Sequence, residues 1–259
     1  MPQFAANLSM MFNEVPFLDR FKAASDAGFK GVEFLFPYEH SPEEVAAKAN
    51  AAAVEVVLFN MPAGNWAAGE RGITGLPGRE QEFRDSVDKA LTYAEKLKVP
   101  RLHAMAGIAP AGVDLETCRA TLIANLKYAA RKLAERNIML LLEAINTRDI
   151  PGFIVSTQKD SHAICEAVGE PNLKMQMDLY HMQIMEGDLA TSLKRYAKQC
   201  GHVQIAGCPE RHEPDTGEIR YEYLFRLLDE IGYAGWLGCE YRPAGKTTEG
   251  LKWFHNAVH

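Results

Sequence analysis

The feature that most constrains this chain is an alternation that runs from end to end. Short apolar, β-branched or aromatic runs at 4–9, 31–36, 54–60, 101–106, 138–144, 173–179, 202–206 and 236–241 read as strands. Longer amphipathic stretches near 16–27, 42–52, 79–97, 115–135, 158–168, 188–199, 221–231 and 247–257 read as helices. Eight strands and eight helices in strict order leave two architectures, a closed (β/α)8 barrel or an open doubly wound sheet. The length of 259 residues matches the roughly 250 that a TIM barrel uses. No glycine-rich phosphate fingerprint follows the first strand, and the composition does not break along the chain. The pattern predicts an α/β fold, a single TIM-barrel domain over residues 1–259.

Local signals agree with the alternation. Ser41-Pro42-Glu43-Glu44 reads as an N-cap, a proline in the first turn and two early acids. Asp26-Ala27-Gly28 puts glycine where a helix ends just before the second strand. The segment 61–78, rich in Gly and Pro, is the longest irregular stretch. It follows the third strand, and therefore belongs to the face where barrel active sites are built.

Composition removes several function classes. A net charge of −6 with no basic cluster argues against nucleic-acid binding. No apolar run approaches the roughly 20 residues that cross a bilayer, so no membrane partner is expected. The opening residues carry no positive region and are not read as a signal peptide, which makes a cytoplasmic location the expectation. Five cysteines without a C-x-x-C pair predict reduced, buried thiols rather than disulfides or a structural zinc site. The sequence leaves room for a homo-oligomer.

The chemical signal lies where polar residues end the strands. Glu143 closes the fifth strand run, Asp178 the sixth and Glu240 the eighth, and Gln204 lies near the end of the seventh. Inward side chains converge at the mouth of a barrel, so these four can meet. A lone acid at a strand end is most often solvated or ion-paired, and a lone Gln204 would be a satisfied core amide. Four on successive strands point instead to one site. Three carboxylates in one pocket repel unless a cation or protons compensate, and an oxygen-rich set suits Mg²⁺ or Mn²⁺. No organic cofactor has a motif here.

Other ionisable residues are candidates for the substrate. His181 follows Asp178 by three residues in the loop expected after the sixth strand. Arg71 lies in the long third loop, and Arg211 and His212 in the ionisable loop 208–218. An arginine can grip a carboxylate bidentately, although solvated loop arginines are common. His202 fills a lower layer on the face of Gln204. Glu33 and His103 carry no definite assignment.

Several motifs together resemble the hydroxypyruvate isomerase family. They are Phe-Ala-Ala-Asn-Leu-Ser-Met-Met-Phe at 4–12, Gly-Val-Glu-Phe-Leu-Phe-Pro-Tyr at 31–38 and Pro-Ala-Gly-Asn-Trp-Ala-Ala-Gly-Glu-Arg-Gly-Ile at 62–73. Leu-Pro-Gly-Arg-Glu at 76–80, Asp-Ile-Pro-Gly-Phe at 149–153, Tyr-His-Met-Gln at 180–183 and Gly-Cys-Glu-Tyr at 238–241 add to them. The resemblance covers nearly the whole chain and implies a xylose isomerase-like barrel. It implies metal ligands at Glu143, Asp178, Gln204 and Glu240, an acid/base pair in Glu143 and Glu240, and His181 close by. The related epimerases have a histidine where this chain has Gln204, a weaker neutral ligand.

The implied reaction is an aldose–ketose type isomerisation, hydroxypyruvate to tartronate semialdehyde, by proton transfer through an enediol. The partner would be a small anionic keto acid. Close relatives include 2-oxo-tetronate isomerases, whose motifs overlap; the third loop and the segment 149–153 lean toward hydroxypyruvate. A nuclease of the AP endonuclease type-2 kind on the same barrel is a distant alternative, disfavoured by the net charge.

Overall fold

The computed structural model describes residues 3–258. Eight parallel strands close in chain order: β1 (Gln3–Asn7), β2 (Gly31–Phe34), β3 (Glu55–Asn60), β4 (Arg101–His103), β5 (Met139–Glu143), β6 (Leu173–Asp178), β7 (Cys200–Ile205) and β8 (Trp236–Cys239). The last pairs with the first through Gln3–Trp236, Phe4–Leu237, Ala5–Gly238 and Ala6–Cys239, so no strand edge is left open. The predicted TIM barrel is the observed fold. Helices α1 (Phe17–Asp26), α2 (Pro42–Ala51), α3 (Glu80–Leu97), α4 (Leu115–Ala134), α5 (Gln158–Val168), α6 (Leu179–Met185), α7 (Leu189–Tyr196), α8 (Tyr221–Glu230) and α9 (Lys252–Val258) connect and surround the strands. Among the described residues no helix is long and apolar enough to cross a membrane.

Strand alternation divides the side chains between two environments. On β6, Leu173, Met175 and Met177 join the large core shared with the helices. Gln176 and Asp178 take the opposite face and are buried inside the barrel. Ala5, Val57, Leu141, Met139 and Trp236 pack together as a separate interior cluster. Two residues further along β1, β5 and β8 the inward positions become Asn7, Glu143 and Gly238. The lower interior is therefore apolar and the upper interior polar.

Helix starts follow their sequence signals. Ser41 accepts from the Glu44 amide while the Glu44 carboxylate accepts from the Ser41 amide, a complete capping box. Asp114 caps α4 through the Thr117 amide at 2.8 Å. Two expected elements are divided. The stretch near 188–199 is α7 plus a 3-10 turn at Ala197–Gln199, and the last helix is a 3-10 turn at Thr247–Gly250 followed by α9. The third loop contains a 3-10 turn at Trp66–Ala68 and returns to the barrel as a bridge between Gly72 and Ala106. Gly72 has a φ of +117°, and a Cβ there would collide with the Met105 backbone, so only glycine makes this approach.

Candidate active site

Strand register sets the heights of the polar residues. Glu143 pairs with Gln176, Asp178 with Gln204, and Gln204 with Gly238. Glu143, Asp178 and Glu240 are thus offset by two residues at two strand junctions, following the stagger of a barrel. The four sequence-predicted positions do not share one register level. The acids converge all the same, because strand tilt brings staggered inward residues to the same mouth.

The first residues after β6 explain how a histidine joins them. Asp178 accepts from the Tyr180 amide at 2.8 Å and caps α6, a helix in the stretch expected to be loop. His181 lies in its first turn and its Nε2 is 3.6 Å from Asp178 Oδ2 and 3.8 Å from Glu143 Oε1. One ligand atom from each of Glu143, Asp178, His181 and Glu240 lies within 4.8 Å of the others, and all four residues are buried. The Asn146 side-chain nitrogen is 2.6 Å from His181 Nδ1, and the Asn146 backbone amide donates to it at 3.4 Å. With Nδ1 accepting, the neutral ring carries its proton on Nε2, an assignment that follows from the bonding pattern. Burial, with the nearby Arg211 charge second, holds the His181 pKa well below that of an ordinary imidazole. His181 therefore presents a donor to the acids.

Arg211 is the cation of this cluster. Its Nη2 donates to Glu240 Oε2 at 2.6 Å and to Asp178 Oδ2 at 3.2 Å, and its Nη1 is 3.7 Å from Asp149 Oδ2. Its Nε donates to the Glu240 carbonyl at 3.3 Å, and the guanidinium lies 4.8 Å over the Tyr180 ring. The backbone turns sharply here: Arg211 has a φ of +61°, and its amide donates to the Gly207 carbonyl at 2.8 Å. The turn sends His212 elsewhere, and its Nδ1 is 2.8 Å from the Arg242 carbonyl. Arg71 stacks at 4.1 Å on Trp66 and donates to the carbonyls of Trp66 and Glu70, so these bonds stay within its own loop.

One guanidinium does not balance three buried carboxylates. Burial raises the Glu240 pKa to about 8, with Asp178 and Glu33 adding to the rise and Arg211 opposing it. Burial and the neighbouring Glu240 and Asp178 charges raise Glu143 well above an ordinary carboxylate. Asp178 is raised by burial against the pull of Arg211. Glu143 Oε1 is buried with no hydrogen-bond partner. An oxygen-rich set with excess negative charge and an unpaired inward oxygen fits a divalent cation.

Gln204 sits in a hydrogen-bonded layer with Glu33 and Gln176. Its Nε2 donates to Glu33 Oε1 at 2.7 Å, and its Oε1 accepts from Gln176 Nε2 at 2.6 Å. Sequence reasoning missed Asn146, Asp149 and Tyr180 as supports of the site. The segment 149–153 carries Asp149 as a motif, but nothing local tells that it faces Arg211. Asn7, the last residue of β1, is a strand-end amide of the kind that singled out Gln204.

Comparison with known proteins adds a family. A model of xylose isomerase-like TIM barrels matches residues 21–257. A 2-oxo-tetronate isomerase from Cupriavidus necator is 54 % identical over 253 residues, 98 % of this chain and 97 % of that protein. The hydroxypyruvate isomerase of Escherichia coli K12 is 48 % identical over 253 residues, 98 % of each chain. A crystal structure described as an AP endonuclease, family 2, from Brucella melitensis superposes with a TM-score of 0.97 at 53 % identity, covering 99 % of both chains.

Proposed function

This chain belongs to the xylose isomerase-like TIM-barrel family and is an isomerase, and we propose that it moves the carbonyl of a short 3-hydroxy-2-oxo acid from C2 to C3. Hydroxypyruvate is the three-carbon member of that substrate class and 2-oxo-tetronate the four-carbon member. The relatives at 54 % and 48 % identity bear one name each, so the class is the level at which they agree. The observation that carries the reading is the convergence of Glu143, Asp178 and Glu240 with His181 and Arg211.

Glu143, Asp178 and Glu240 would hold a divalent cation; the family resemblance implies Gln204 as a fourth ligand, and its amide oxygen here accepts from Gln176 at 2.6 Å. Mg²⁺ or Mn²⁺ there would offset the charge that develops on the enediolate oxygens. Glu143 and Glu240 come from strands three places apart in the barrel and flank a bound acid. One of them takes the C3 proton, giving the 2,3-enediolate. A proton is then returned to C2, and the hydroxyl proton passes from O3 to O2, so substrate and product are isomers. A carboxylate with a raised pKa holds and releases such a proton near neutral pH. Arg211, buried against Asp178 and Glu240, is the cation of the cluster and takes the substrate carboxylate. The Nε2–H of His181 donates to a substrate oxygen.

The test is kcat/KM for hydroxypyruvate and for 2-oxo-tetronate, side by side, with Mg²⁺, Mn²⁺ and a chelator. Metal-dependent turnover of at least one acid is expected. Turnover of neither would refute the reading. The nuclease reading predicts instead a steeply salt-dependent shift of DNA in a gel, which a chain of net charge −6 is not expected to give.

A further inference from the structure

Beneath the acids lies a buried carboxylate that the proposed reaction does not use. Glu33, on β2, is fully buried, and three nitrogens converge on it. Asn7 Nδ2 donates to its Oε1 at 3.0 Å, Gln204 Nε2 donates to the same oxygen at 2.7 Å, and His202 Nε2 lies 2.7 Å from its Oε2. The Glu33 carboxylate presses against Gly238 on β8, where any Cβ would collide with it. Such a site is built for this side chain, because β8 gives up a side chain to admit it.

We propose that Glu33 is a positioning residue that fixes the direction of the Asn7 and Gln204 amides and, through Asn7, holds Glu240. A primary amide has a donor end and an acceptor end, and the two fill nearly the same volume. A carboxylate accepts hydrogen bonds from both amides, so each must turn its NH₂ toward Glu33. Gln204 then points its oxygen away, to where Gln176 donates to it at 2.6 Å. Asn7 points its oxygen at the Ser9 amide, 3.1 Å away, and its second N–H reaches Glu240 Oε1 at 3.2 Å. One acceptor thus sets the orientation of an amide beside Asp178 and of the donor that holds the proposed acid/base residue. The proposal rests on the role given to Glu240 above.

Glu33→Gln keeps the volume but can donate as well as accept, so both amide directions become allowed. Asn7→Leu keeps the shape and removes the donor to Glu240. Each is assayed on whichever acid the wild type turns over, and by calorimetric titration with Mn²⁺. The expectation for Glu33→Gln is a fall in kcat of about 10- to 100-fold and a weaker Mn²⁺ affinity, the usual cost of losing an outer support of a metal site. KM should stay within about threefold, since substrate contacts are intact. The double variant should fall no further in kcat than the worse single one, because both lie on one path. Wild-type kcat and Mn²⁺ affinity in Glu33→Gln would overturn the proposal, as would a raised KM with kcat unchanged. Should Glu33→Gln not fold, Asn7→Leu decides by the same kcat criterion. A wild type inactive on both acids would refute the assigned reaction alone, and the Mn²⁺ affinities of the variants would then decide this one.

Discussion

Glu240 combines a raised pKa with a direct contact to Arg211, and both bear on measurable behaviour. Its folded value of about 8 exceeds that of an exposed glutamate. The folded metal-free protein therefore holds a proton that the unfolded chain has released between pH 4.5 and 8. Stability of the metal-free form is unaffected below the unfolded pKa and falls as pH rises through that window. A melting series from pH 5 to 8 should show this decline, and saturating Mn²⁺ should remove it. Apparent Mn²⁺ affinity should rise by about tenfold per pH unit for each proton displaced, levelling near pH 8. A flat melting series would show that the acids are already compensated. Glu143→Gln and Glu240→Gln, each folded, should lower kcat by at least about 100-fold if the two transfer the proton. At this scale the sequence was informative where chemistry is unusual for the location. Glu143, Asp178 and Glu240 stood out because acids rarely end apolar strand runs. Asn7 and Asn146 did not, because an amide's role depends on which atoms from distant segments reach it. Glu33 was visible on its strand, but its partners lie 26, 169 and 171 residues away in sequence.

Among the elements, α6 shows how one side chain can both close a strand and open a helix. Asp178 ends β6, caps α6 through the Tyr180 amide and belongs to the acidic cluster. These roles separate by substitution. Asn retains the capping oxygen and removes the charge, whereas Ala removes both. Asp178→Ala should therefore be less stable than Asp178→Asn by about 1 kcal/mol in urea unfolding, while both lose Mn²⁺ affinity. Equal stability would mean that the cap contributes nothing to α6. The strands were legible because their apolar runs are long enough to show the period, and the N-cap, proline and early acids at Ser41–Glu44 announced α2. The seven residues of α6 carry no separating loop signal, since the helix begins at once after Asp178. The 3-10 turn at Trp66–Ala68 was hidden for a different reason. Its Asn65 cap is local, the side-chain oxygen accepting from the Ala68 amide at 3.1 Å, but Trp66 is seated by edge-to-face packing against Phe36 of a distant segment, ring centroids 4.9 Å apart, which no local pattern reports.

For the molecule as a whole, the protein is acidic and the proposed substrate is an anion. The net charge of −6 repels an approaching acid over roughly a Debye length, about 8 Å at physiological salt. The compensating charge is local and buried: Arg211 lies within the cluster, while Arg71 stays in its own loop. Long-range and local terms then respond differently to salt. Screening weakens the repulsion at the surface but barely touches a buried guanidinium. Raising ionic strength from about 10 to 200 mM should leave kcat/KM unchanged or raise it by up to about threefold. A loss of tenfold would reveal an attractive basic surface steering the substrate, contrary to this account. Arg211→Met should raise KM sharply, leave the sign of the salt response as it was, and destabilise the metal-free protein by leaving Asp178 and Glu240 without their cation. If Arg211→Met instead left KM unaltered, the substrate carboxylate would have to be held by the metal alone. The guanidinium would then serve only to keep three buried acids together until the metal arrives.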